Sequence, residues 1–297
     1  MLKYLRMDMY RLVKGKMLWV TLGILLVMSV FMAGMMWLST TSEFTVYMHN
    51  QMLEEQENAA AMGVTFGETD VPTTSTGMQG INGSEIADFA QNQTSMWLSG
   101  GGLAVIVAMV IALFFAADFT SGYVKNLPSS RRDRLAYYGE KTLLMAVLST
   151  VFLLFGIAAF EVGRLVTGFT YVHVDSVGGI ATWFLLSVVI LTTYAAITAV
   201  VTWLTQSKAA GIASALIVSS GVLGSVLAMT FSSLAVLWEP LARVAEWLPN
   251  ANYALLKQGG DALLAASGDV GHILISCGVP LVICTAIALA VCTRKDV

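Results

Sequence analysis

Six long stretches of this chain carry no charged residue: Met17 to Leu38, Trp97 to Ala117, Thr142 to Phe160, Ile180 to Trp203, Ala209 to Trp238 and Ile273 to Cys292. A helix rises about 1.5 Å per residue and a bilayer core is about 30 Å thick, so roughly 20 apolar residues cross it. Every stretch meets that length. Backbone polar groups must pair internally in hydrocarbon, which leaves helices and closed barrels, and the alternating ten-residue pattern of barrel strands is absent. The expected fold is all-α, a polytopic membrane protein with six transmembrane helices at 17–38, 97–117, 142–166, 180–203, 209–238 and 273–292.

Composition points the same way, since 57% of residues are hydrophobic and only 12% charged, too little charge for a soluble domain of this length. Lys and Arg set the orientation, because positively charged loops stay on the cytoplasmic side. With the N-terminus inside, cytoplasmic segments hold Lys3, Arg6, Arg11, Lys14, Lys16, Lys125, Arg131, Arg132, Arg134, Lys141, Lys208, Arg294 and Lys295, which is 13 of the 16 basic residues. Both termini are expected in the cytoplasm, and the chain is expected in the cell membrane as a multi-pass protein. Topology accounts for the basic residues, and no nucleic-acid partner is implied.

The segment 39–95 belongs outside on this reading. It holds Glu43, Glu54, Glu55, Glu57, Glu68, Asp70, Glu85 and Asp88 without a single Lys or Arg. Phe44 to Ala61 can form a short helix, and Gly63 to Ser84, rich in Gly, Thr and Ser, reads as irregular. Met17 to Leu38 is too long for the core of a signal peptide and no small-x-small cleavage pattern closes it, so it reads as a retained first span. Cys277, Cys284 and Cys292 all fall on the last span, where they suit apolar packing rather than a disulfide framework or zinc site.

Motifs for chemistry are missing. There is no GxxxxGK[ST] phosphate loop, no HExxH and no GxSxG, so the chain is not expected to be an enzyme or to bind ATP itself. His49, His173 and His272 are separated by 124 and 99 residues, a spacing without a ligand pattern, and they read as surface residues. No metal is expected.

Two cytoplasmic segments invite a functional reading. The segment 118–141, between the second and third spans, contains Gly122, suited to ending a helix, then Ser129 or Ser130 as a cap, and the basic Arg131, Arg132 and Arg134. It is either a topology determinant or a docking element for a cytosolic partner. In 1–16, Leu2, Leu5, Met9, Leu12 and Val13 recur at helical spacing opposite Lys3, Arg6, Lys14 and Lys16, as in an amphipathic helix lying in the headgroup plane.

These segments resemble a known family. "LKYLRMDMYRLVKGKMLWV", then "DFTSGYVKNL", then "SSRRDRLAYYGEKTLL" are similar to stretches in the permease subunits of ABC-2-type ABC transporters, particularly six-span bacterial forms that export peptide antibiotics or confer immunity to them. The matching positions are Asp8 in the N-terminal helix; Asp118, Gly122, Lys125 and Leu127 after the second span; and Ser130, Arg131, Tyr138 and Lys141 before the third. The resemblance implies that Asp118 to Lys141, with Arg132 and Arg134, includes the coupling helix that docks on the ATPase subunit, and that the N-terminal helix, with Asp8, Arg11 and Lys14, packs beside it. It further implies a separate ATP-binding subunit in two copies, carrying ATP and Mg, and a second permease chain, identical or related. The missing phosphate loop agrees with that division of labour. The 39–95 loop is longer than in compact members of the family.

On the fifth span, Gly211/Ala215, Ala215/Ser219, Ser220/Gly224 and Gly221/Ser225 are small pairs four apart, which let helices approach closely. They suit a permease dimer interface, a moving gate, or packing within one bundle. Similar transporters line their path with spans two and five, which would give Gly100, Gly101 and Gly102 a comparable place. Glu161 and Arg164 share a helix face near the outer end of span three and can pair. Pro280 is expected to kink span six. Residues 239–271, with Pro249 among scattered leucines and tryptophans, suit two short amphipathic helices at the outer interface, the re-entrant helices that the resemblance implies.

The leading expectation is therefore a transport subunit for a hydrophobic or amphipathic substrate. A membrane sensor or scaffold, with the acidic loop binding a ligand and the basic loop recruiting a signalling protein, is the rival. An ion-driven secondary transporter is third, weakened because neither a deep intramembrane acid nor a broken, repeated span is evident in the sequence.

Overall fold

The computed structural model describes residues 2–39, 41, 44, 46–47, 50–51, 85–121, 131–236, 238 and 240–292, with backbone alone for 2, 39, 131–134, 242 and 291–292. The described part is all-α apart from one two-residue ladder. Its elements are α1 (Leu2–Lys14), α2 (Lys16–Ser39), β1 (Glu85–Ile86), α3 (Phe89–Gln93), α4 (Gly102–Thr120), α5 (Arg131–Thr167), β2 (Thr170–Tyr171), α6 (Val177–Thr205), α7 (Lys208–Ser219), α8 (Val222–Leu234), α9 (Pro240–Glu246), α10 (Asn252–Leu256), α11 (Gly260–Ala265) and α12 (Ser267–Cys292). Among the described residues, five helices are long and apolar enough to cross a membrane, or six if the bent pair α7 and α8 forms one span.

Burial separates the centre of the bundle from its edge. The apolar stretches of α4 and α6 are 61% and 67% buried within the chain, those of α2 and α12 only 22%. The central pair packs together and receives α7 and α12, while α2 lies along α5. A helix apolar on every side but buried on one leaves a broad apolar face. Val27, Val30 and Phe31 on α2 and Val279, Val282 and Ile283 on α12 form such faces.

Side-chain hydrogen bonds join some of the helices. Thr193 Oγ1 donates to the Cys277 carbonyl at 3.1 Å, joining α6 to α12. Trp183 Nε1 donates to Thr94 Oγ1 at 2.8 Å. Most hydroxyls instead bond the carbonyl one turn back in their own helix, as at Ser29, Ser187 and Thr202, which satisfies them without a partner helix.

Four expectations change. The stretch 209–238 is not one straight span: α7 and α8 meet at a bend of 51°. Gly221, at φ +79°, caps α8 in the left-handed region that glycine enters without a Cβ clash. The second span does not run as a regular helix from Trp97; Thr94–Leu98 is a π turn and Ser99–Gly101 a 3₁₀ turn before α4 begins. Residues 239–271 form three short helices rather than two, with Gly259 at φ +104° dividing the last two. Finally, α5 extends far beyond 142–166, running unbroken from Arg131 for 37 residues. The expected helix at Phe44 to Ala61 lies mostly, and the irregular stretch at Gly63 to Ser84 wholly, outside the described residues.

Candidate functional site

The site begins with α1. Leu5, Met9 and Leu12 pack against the core while Lys3, Arg6 and Lys14 are exposed, and Asp8 lies on the packed side with no exposed surface. An isolated carboxylate there is costly unless it is paired and hydrogen-bonded. Its partners are Arg11 of α1 and Lys141 of α5, both of which also hold Asp118 of α4.

Arg11, one turn on, donates from Nη1 to Asp8 Oδ1 at 3.1 Å and from Nη2 to Asp118 Oδ1 at 2.8 Å. Lys141 of α5 donates to Asp8 Oδ2 and lies 2.8 Å from Asp118 Oδ2. Tyr137, one turn before Lys141, donates its hydroxyl to Asp118 Oδ2 at 2.6 Å. Asp8 and Asp118 thus face Arg11 and Lys141 in a neutral quartet that ties α1, the end of α4 and the start of α5 together. The Lys141 side chain is fully buried, whereas that of Arg11 is 31% exposed.

Aromatic rings complete the enclosure. Lys141 Nζ lies 4.8 Å from the ring centres of Phe114 and Tyr137 and 5.1 Å from that of Phe115. Such ring faces attract a desolvated ammonium. Tyr138 sets its ring edge-on to Trp203, which stacks on Phe115 at 5.2 Å. Partial burial works against the Arg11 charge, but its hydrogen bonds and charge interactions with Asp118 and Asp8 prevail and hold the guanidinium pKa above its ordinary value.

Of the residues expected at this site, the structure brings together Asp8, Arg11, Asp118 and Lys141, with Tyr138 buried in the adjoining ring stack. Lys14 stands apart over the Tyr10 ring. Gly122 and Lys125 lie outside the described residues, and Arg131, Arg132 and Arg134 occupy the first turn of α5. Tyr137 and Glu140 escaped the sequence reading. Glu140 is 1% exposed and neither of its carboxylate oxygens has a hydrogen-bond partner. Their spacing from Lys141 on a helix was the available signal, but spacing does not say which face is buried.

The small residues of the fifth span divide at the bend. Gly211, Ala215 and Ser219 are buried inside the chain, so they do not form an interface with a second chain. A Cβ on Gly211 would stand 2.6 Å from Thr202 Oγ1 and 3.0 Å from Ala112 Cβ. Gly101, at φ +72°, lies so close to the Ser219 carbonyl that any Cβ would run into it. Beyond the bend, Gly221 faces open space, Gly224 lies against the Asn250 side chain and Ser225 bonds the Gly221 carbonyl. No residue of α8 is buried. Gly100, Gly101, Gly221, Ser225, Tyr253 and Lys257 help line a cavity of about 310 Å³ at this break.

At the opposite end of α5, Arg164 Nε donates to Glu161 Oε2 at 2.7 Å. Gln93 Nε2 donates to Glu161 Oε1 at 2.8 Å, and the Tyr171 hydroxyl donates to the same oxygen. Burial, reinforced by the Glu161 carboxylate, pushes the Tyr171 pKa up. These bonds hold α3 and the β1–β2 ladder, paired in parallel from Glu85 to Thr170 and Ile86 to Tyr171, against α5. Nearby, His173, Asp175 and Asp261 come together across 86 residues of chain. His272 is elsewhere, its Nε2 3.0 Å from the Glu246 carbonyl oxygen.

No family model matches this chain, and no curated protein does.

Proposed function

We propose that this chain is the permease subunit of an ABC-2-type ABC transporter in a bacterial cell membrane, moving a hydrophobic or amphipathic compound such as a peptide antibiotic outward. The observation that carries the reading is the convergence of Asp8, Asp118 and Lys141. These three residues match the family's stretches in sequence and meet in one buried network. In this reading both termini and the network face the cytoplasm, in line with the distribution of Lys and Arg.

The network gives a physical route for coupling. An ATP-binding partner, which would supply the ATP and Mg chemistry, would dock on the basic segment that leads into α5. At 1.5 Å per residue α5 is about 55 Å long, so a displacement at Arg131 would travel along one rigid element. Asp8 and Asp118 fasten α1 and α4 to that element, so all three would move together as a body. The bend at Gly221, lying against Gly101, is the place where the fifth span can change angle. The exposed apolar α8 would face a second permease chain or lipid.

The test is affinity purification of the chain from native membranes in mild detergent, with identification of co-purifying subunits. The expected result is an ABC ATP-binding subunit in equal amount, lost when Arg131, Arg132 and Arg134 are changed to Glu. An intact preparation without any ATPase would sink this reading and favour a sensor or scaffold.

A further inference from the structure

We propose that His173, Asp175 and Asp261 form a binding site for one divalent transition-metal ion, with zinc the best chemical fit. The site would clip the segment between α5 and α6 to α11. One ligating atom from each of the three side chains lies within 4.8 Å of the other two. His173 Nε2 and Asp261 Oδ2 are 4.0 Å apart. Zinc bonds of about 2.0–2.2 Å in tetrahedral geometry place ligand atoms roughly 3.4 Å apart. Because His173 is 60% exposed in its side chain, a small swing of the imidazole closes that difference.

Asp175 supplies the independent observation. It is 7% exposed; its Oδ1 accepts the Asp261 backbone N–H at 2.9 Å, while its Oδ2 has no hydrogen-bond partner. A buried carboxylate oxygen without a donor is costly, and a cation shared with His173 and Asp261 would satisfy it. Gly259 lets the backbone pass this carboxylate, since a Cβ there would stand 3.0 Å from Asp175 Oδ1.

The third ligand is already oriented. Asp261 accepts the Ser176 N–H at 2.8 Å and the Ser176 hydroxyl. Hydrogen bonds of this kind fix ligand direction in metal sites. One imidazole and two carboxylates form a mixed nitrogen and oxygen set, suited to zinc or manganese rather than to magnesium or calcium, which prefer oxygen alone. The His173 carbonyl also accepts the Phe89 N–H at 3.2 Å, so the clip would extend to α3.

The experiment uses the full chain, purified in detergent through a histidine-free tag, stripped with chelator and titrated calorimetrically with Zn²⁺. The expected result is one equivalent bound, with affinity weakened at least about tenfold by His173→Ala and by Asp175→Asn. Zn²⁺ should also raise the thermal unfolding midpoint of the wild type and not that of His173→Ala, a change at an exposed position that leaves the fold intact. Absence of stoichiometric uptake, or equal affinity in wild type and His173→Ala, would overturn the proposal.

Discussion

Lys141 Nζ lies 2.8 Å from Asp118 Oδ2 with both side chains sealed from solvent. That single distance joins the end of α4 to the start of α5, across a segment of chain that carries the basic residues. Breaking a buried pair by removing one partner typically costs about 3–5 kcal/mol, because the other charge stays buried and uncompensated. Lys141→Met is expected to lose stability on that scale in equilibrium unfolding from mixed micelles. Adding Asp118→Asn should cost less than the sum of the two single changes, by more than about 1 kcal/mol. Additive losses would mean that the two residues act separately.

Gly100 and Gly101 offer a sharper comparison, since both have positive φ but only Gly101 is crowded. Gly100→Ala should cost about 1–2 kcal/mol, the ordinary strain of a left-handed L-residue. Gly101→Ala carries that strain and also forces α7 away at the Ser219 carbonyl. It is expected to lower the thermal midpoint well beyond Gly100→Ala, and equal midpoints would refute the close approach.

Gly211→Val tests the assignment of the buried small residues. The added methyls would press on Thr202 and Ala112, and overpacking of this kind costs about 1–3 kcal/mol. The expected outcome is a less stable chain whose self-association in detergent, followed by sedimentation, is unchanged at equal folded concentration. Selective loss of self-association with unchanged stability would return this residue to an interface.

The long apolar helices were legible in the sequence because a charge-free run is a property of consecutive residues. Asp8, Asp118 and Lys141 were legible only as motif positions. Their contact spans 133 residues between Asp8 and Lys141, and nothing local encodes that meeting. Tyr137 and Tyr138 are adjacent and chemically alike, yet one donates to Asp118 and the other sets its ring edge-on to Trp203; only the rotation of α5 decides between them. The break at Gly221 was hidden for a related reason. A glycine in an apolar run is compatible with a continuous helix until Gly101 and Ser219 fix the local path. His173 and Asp261 lie too far apart in sequence for any ligand spacing to announce them.

Tyr171 gives a prediction about pH. Burial, then the hydrogen bond to Glu161 and its charge, raise the phenol pKa in the folded state. The folded chain therefore holds this proton where the unfolded chain, with an ordinary value of about 10, releases it. The stabilisation is fully present below that value and is lost as pH rises through it toward the folded value. One proton limits the slope to about 1.4 kcal/mol per pH unit. Tyr171→Phe removes both the hydrogen bond and the titration. It should be less stable than the wild type at neutral pH, and the gap should narrow above about pH 10. Unfolding midpoints in micelles measured from neutral to strongly alkaline pH check this. Parallel curves for the two proteins would show that Tyr171 does not deliver its proton to Glu161 as the geometry requires.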